Sequence, residues 1–173
     1  MKIGFCGTMS VGKTTLVNEL AKLPEFKDYK SRTERSKHLM DMGIPLNTDS
    51  TLKGQFVFAA ERASELLCDK IITDRTVVDV MAFSALSKSM NANESYFLNA
   101  ALSNLIDDYD YLFYVSPVGV KMEENGVRET DIIYRDNINK KILEILDSNN
   151  VKYITIQGNT EERIKAVKSV VFS

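Results

Sequence analysis

The chain has 173 residues, of which 44% are apolar and 27% charged, with 2 cysteines and a net charge of −2. This composition excludes a collagen-like, disordered or disulfide-stapled polypeptide and leaves chain enough for one sizeable core. The near-neutral balance excludes a general polyanion binder, so any nucleic-acid contact needs a local basic patch. No apolar run approaches the roughly twenty residues of a membrane span. Met1-Lys2 leads straight into an apolar run without the pattern of a secretory leader, so a cytoplasmic location is expected, with Cys6 and Cys68 reduced.

Lys2 to Cys6 reads as a short buried strand. The next stretch, Gly7-Thr8-Met9-Ser10-Val11-Gly12-Lys13-Thr14, fits the spacing G-x-x-x-x-G-K-[ST]. A helix follows from Lys13 to Leu23, with Leu16, Val17 and Leu20 on its apolar face and Pro24 as its stop. Tyr29 to Thr33 reads as a second strand, followed by helix over Glu34 to Met42 and a stop at Gly43. Asp49 or Ser50 is the expected cap of a long helix, Thr51 to Leu67, whose core stripe is Leu52, Phe56, Ala59 or Ala60, Ala63 and Leu67. Lys70 to Thr73 is the third strand, closed by Asp74, and helix runs from about Val77 to Ser87.

A helix over Glu94 to Asp107 is expected to turn Phe97, Leu98, Ala101, Leu102 and Leu105 inward. Tyr111 to Val115 is the next strand, ended by Pro117. Residues 118–128 are polar and aperiodic and read as a mobile flap, with a lid extending over 118–135. Helix from about Glu129 to Ser148 carries Ile132, Ile138, Ile142 and Ile145 or Leu146. Lys152 to Gln157 is the last strand, and Asn159 or Thr160 caps the final helix. There is no repeat and no linker. Strands and helices alternate from end to end, which predicts one α/β domain over 1–173, a parallel sheet with helices on both faces.

The glycine loop sits between a strand and a helix, the context in which it cradles phosphates. Gly7 and Gly12 let backbone N–H groups turn inward, and the helix N-terminus around Ser10, Val11, Lys13, Thr14 and Thr15 adds its dipole. Lys13 then reaches the β- and γ-phosphates of ATP, and Thr14 offers a hydroxyl to Mg²⁺. Asp74 and Arg75 stand at the carboxyl end of the third strand, where ligands of doubly wound sheets bind. Asp74 either holds a magnesium water or caps the next helix; Arg75 either points at the transferring phosphate or pairs with an exposed acid.

Glu34, after the second strand, is either the base for an acceptor hydroxyl or a first-turn acid favoured by the helix dipole, and Arg35 is available to orient the acceptor. Lys27, Lys30, Arg32, Arg35 and Lys37 form either a cationic patch beside the loop or a solvated face. His38, the single histidine, reads as a surface residue. Gln55 and Arg62 lie seven apart on one helix face. Gln55 can read an amide edge or serve as a polar flank. Arg128 and Arg135 either swing onto the phosphates as a lid closes or pair with nearby acids.

The series Gly7–Thr14, Glu34-Arg35, Gln55 with Glu61, Asp74-Arg75 with Asp79, and Gly126-Val127-Arg128 resembles the P-loop kinase-like domains, grouped as AAA-type, that bacterial nicotinamide-riboside kinase typifies. More distantly it is similar to deoxynucleoside and thymidylate kinases. The resemblance implies a three-layer P-loop NTPase fold with a five-stranded sheet in the order 2-3-1-4-5, Glu34 near the acceptor and Arg128 on the lid. It also implies transfer of the ATP γ-phosphate to a nucleoside, nucleotide or related riboside. The flap departs from the family in lacking a tryptophan and a proline before its glycine-arginine pair, which puts the acceptor pocket in question. Compact viral relatives phosphorylate modified nucleotides or hydroxymethylated pyrimidines in DNA, so DNA stands as an alternative substrate. A regulatory NTPase switch is a third reading, although no N-K-x-D guanine-reading element is present. A homodimer is open, because Met81 and Phe83 suit either a core or a neighbouring subunit.

Overall fold

The computed structural model describes residues 1–33, 35–120 and 132–173. Five strands, β1 (Lys2–Cys6), β2 (Lys30–Arg32), β3 (Ile71–Asp74), β4 (Tyr111–Val115) and β5 (Ile154–Ile156), form one sheet in the order β2-β3-β1-β4-β5. Every pairing is parallel, with Phe5 of β1 opposite Asp74 of β3 and Phe113 of β4. The helices are α1 (Lys13–Ala21), α2 (Ser36–Asp41), α3 (Leu52–Glu65), α4 (Val77–Ala85), α5 (Ala92–Ser103), α6 (Ile132–Ser148) and α7 (Thr160–Val171).

Strand alternation splits the core into two layers. Ile3, Phe5, Phe113 and Val115 face Leu16, Val17 and Leu20 of α1 and Val167 and Val171 of α7. Cys6, Leu112 and Tyr114 face the other way, onto buried residues of α3 to α6. Phe5 and Phe113 stack at 5.3 Å between ring centroids, joining the two central strands. Met81 and Phe83, open between core and interface in the sequence, are core residues.

Gly4 sits where β1 passes under the start of α4. A Cβ there would lie 2.7 Å from both Thr76 Cγ2 and the Tyr109 ring, so a larger residue forces the helix away from the sheet. This close approach brings α4 near the glycine loop. Among the described residues, no helix is long and apolar enough to cross a membrane.

Three expectations need correction. The core stripe of α3 holds only in part: Ala59 is buried and Leu52 packs against the core, but Phe56 is 43% exposed and Leu67 86% exposed, while Gln55, Phe58, Arg62 and Glu65 are buried instead. The helix turns polar side chains inward where they find partners, Gln55 on Ser50 and Arg62 and Thr73 on Glu65, and Phe56 instead meets Phe97 of α5 edge-on near the surface. Its cap is Thr51, whose side chain accepts from Gly54 N, whereas Ser50 is buried and accepts from Gln55. Phe97 and Ala101, expected inside, are exposed, and Ile132 is exposed as well. On the same helices, Leu98, Leu102, Ile138 and Ile142 carry the packing.

Candidate active site

The glycine loop joins β1 to α1 by left-handed turns at Ser10 (φ 57°) and Gly12 (φ 84°). Such turns curl successive N–H groups toward one point, a concavity suited to anions. Gly7 packs so tightly that an added Cβ would stand 2.8 Å from the Val115 carbonyl oxygen. Lys13 is buried, and its Nζ donates to the carbonyls of Gly7 (2.6 Å) and Thr8 (2.9 Å). Thr15 is exposed on the first turn of α1 and does not line the cavity.

A small cavity in front of the loop is walled by Ser10, Val11, Gly12, Lys13 and Thr14 on one side and Asp74 and Arg75 on the other. The Thr14 hydroxyl donates to Asp74 Oδ2. Asp74 Oδ1 is buried and has no hydrogen-bond partner among the described residues. Asp74 does not cap α4; Thr76 does, with Asp79 completing the capping box. A hydroxyl beside a carboxylate with an unfilled buried oxygen fits a hard cation that takes oxygen donors. Among the described residues there is no cluster of three or more metal-ligating side chains, so the donor set suits an ion that keeps waters and phosphate oxygens, as Mg²⁺ does.

Arg75 adopts a left-handed backbone, φ 71°, which a non-glycine residue holds only when its surroundings impose it. Its guanidinium carbon lies 4.8 Å from the centre of the Phe83 ring, a cation–π contact. Arg75 also borders a second, small cavity, lined by Ser36, Asn47, Gln55, Phe58, Arg62, Val80 and Phe83. Gln55 Nε2 donates to Ser50 Oγ at 2.9 Å, while Gln55 Oε1 has no partner among the described residues. Arg62 makes a two-pronged pair with Glu65 (2.8 and 2.6 Å), and Thr73 donates to the same carboxylate at 2.7 Å. Arg62 Nη1 is left without a partner among the described residues.

The structure brings Lys13, Thr14, Asp74 and Arg75 together, and Gln55, Arg62 and Arg75. Arg35 is set apart: it is exposed, pairs with Glu61 at 3.4 Å and does not line the cavity, although its neighbour Ser36 does. Glu34 and Arg128 lie outside the described residues, as does the expected flap over 118–128 beyond residue 120. Arg135 is buried rather than poised to swing, with both terminal nitrogens donating to Val120 O at 3.2 Å. Two residues that sequence reasoning did not single out brace the loop. Arg163 of α7 donates to Val11 O, and the Thr8 hydroxyl donates to Arg135 O at 2.9 Å.

A parallel 2-3-1-4-5 sheet, a G-x-x-x-x-G-K-T loop and an acid-arginine pair ending the third strand define a P-loop domain with a nucleoside- and nucleotide-kinase-like fold. The chain belongs to the AAA domain family, whose model matches residues 2–163. Among solved structures it is similar to thymidylate kinase from Candida albicans (TM-score 0.69, 14% identity, covering 98% of this chain and 90% of that one). It is also similar to deoxyadenosine kinase from M. mycoides (TM-score 0.64, 17% identity, covering 99% and 97%). The NadR protein in complex with NR gives a TM-score of 0.72 at 13% identity, with 99% of this chain matching 51% of that one. Among curated proteins, none matches the chain.

Proposed function

We propose that this protein is an ATP-dependent phosphotransferase acting on a hydroxyl or phosphate of a nucleoside, nucleotide or related riboside. The observation that carries the reading is the position of Arg75, a wall common to the phosphate-loop cavity and the cavity of Gln55 and Arg62. A donor nucleotide on the loop and an acceptor in the second cavity then meet at one guanidinium. The family and the kinase-like fold support the same assignment.

In this reading the amides from Ser10 to Thr14 hold the nucleotide phosphates, and Lys13 leaves the Gly7 and Thr8 carbonyls for their oxygens. Thr14 and Asp74 would hold Mg²⁺, which would neutralise charge on the phosphates. Arg75 stabilises the equatorial oxygens of the transferring group. The acceptor oxygen forms a bond to the γ-phosphorus as the bond to the β-γ bridging oxygen breaks, and ADP departs with that electron pair. A hydroxyl acceptor loses its proton to Glu34, a role that rests on sequence order alone. Gln55 and Arg62 both line the second cavity and bring an amide oxygen and a guanidinium to it, groups of the kind that pair with an amide edge on a base or carboxamide. Residues 118–135 form the lid and Arg128 is its phosphate-facing arginine, again on sequence grounds, within a single domain over 1–173.

Transfer of labelled γ-phosphate from ATP with magnesium, screened across nucleosides, nucleotides and hydroxymethylated DNA, tests the proposal. Steep salt dependence would point to DNA. Slow hydrolysis that no acceptor stimulates would point to a switch and overturn the proposal.

A further inference from the structure

Asp79 is the third residue of α4 and is fully buried. Its Oδ2 accepts from Thr76 N at 2.8 Å and Thr76 Oγ1 at 3.0 Å, capping the helix. That task needs no burial, because Glu94 and Glu162 make the same reciprocal caps on α5 and α7 from positions that solvent reaches. Sinking a carboxylate into a core costs free energy, so a second role has to offset it. Burial pushes the Asp79 pKa up, while the nearby charges of Lys13 and Arg75 pull it back down.

The second oxygen shows that role. Asp79 Oδ1 accepts from Gly7 N at 3.2 Å. Gly7 opens the phosphate loop, and its carbonyl accepts from Lys13 Nζ. Its N–H is thus spent on Asp79 and does not face the cavity, so Gly7 braces the cradle instead of donating to phosphate. The same helix α4 starts two residues after Arg75 and contributes Val80 and Phe83 to the second cavity.

We infer that Asp79 is a positioning residue: it locks the first peptide of the phosphate loop to the start of α4 and so couples the nucleotide cradle to the Asp74–Arg75 corner and the wall of the second cavity. The inference rests on the nucleotide-binding reading above. In Asp79→Asn the single carboxamide oxygen cannot serve both Gly7 and Thr76, and the NH₂ group confronts an N–H donor. Thr76→Ala removes a capping hydroxyl but leaves the carboxylate facing Gly7, so it controls for loss of the cap alone.

Titration calorimetry with magnesium and a non-hydrolysable ATP analogue, alongside Tm, separates these roles. Asp79→Asn is expected to weaken binding by about tenfold or more, the loss of a charged hydrogen bond, while Thr76→Ala stays within about threefold. Equal losses in the two variants, or binding by Asp79→Asn within about twofold of wild type, overturn the inference. If Asp79→Asn does not fold, or if wild type does not bind the analogue (a result that sinks the nucleotide reading), amide hydrogen exchange of Gly7 in the wild-type protein decides. Slow exchange supports the brace, and exchange at the rate of an open loop overturns it.

Discussion

The Thr14 hydroxyl donates to a carboxylate oxygen of Asp74, joining the first turn of α1 to the end of β3. These residues are sixty positions apart in the chain. They meet because β1 and β3 are paired neighbours in a parallel sheet, which places both carboxyl ends at one edge. Asp74→Asn keeps the shape and removes the charge. Nucleotide binding without magnesium should be nearly unchanged, the gain on adding magnesium should vanish, and transfer should fall by about a hundredfold or more. Calorimetry with and without magnesium, beside the transfer assay, checks this.

Lys13 and Glu34 should fail differently. Lys13→Ala removes a cation from the loop, so both nucleotide affinity and transfer should drop. Glu34→Gln should spare nucleotide affinity and lower transfer to a hydroxyl by about a hundredfold or more, the range of general-base removal. Comparing Kd with kcat for both variants measures the split, and full turnover in Glu34→Gln would remove the base assignment.

Arg62 is 1% exposed and holds Glu65 inside the protein. Arg62→Met leaves a buried carboxylate without its partner and should cost about 3 kcal/mol, a fall of roughly 10 °C in Tm for a chain of this size. Replacing Glu65 by Met in the same protein should recover much of that loss. Thermal melts of the single and double variants check the pair independently of any substrate.

Burial pushes the Cys6 thiol well up, and the nearby Asp79 carboxylate pushes it further in the same direction. A raised pKa keeps the thiol protonated at pH 8, and the thiolate is the reactive form. Cys68 is only partly buried. A thiol reagent at pH 8 should therefore label Cys68 in the native protein and reach Cys6 only after unfolding, as peptide mapping would show.

Where a feature depends on local chain chemistry, it was legible before the structure. The strand patterns matched the strands to within one or two residues, and the loop spacing pointed to Lys13 and Thr14, which line the cavity before the loop. The strand order came from resemblance, since nothing local encodes it. The inner face of α3 was misread because hydrophobic periodicity assumes an apolar core side. Here that side carries Gln55, Arg62 and Glu65, whose partners Ser50 and Thr73 lie outside the helix. The local capping pattern Thr76-x-x-Asp79 was passed over in favour of Asp74 as the cap, and the contact of Asp79 with Gly7 spans 72 residues and has no counterpart in spacing. Arg163 on Val11 is hidden for the same reason, at a separation of 152 residues.

The outer margins of the sheet have a separate consequence. Both flanking strands, β2 and β5, are only three residues long, and β2 displays Lys30 and Arg32 at its solvent-facing border. Borders this short, one of them positively charged, give a foreign strand little to zip onto. Crowded solutions of this protein should consequently resist fibrillar stacking, and engineering that lengthens either border would forfeit that protection.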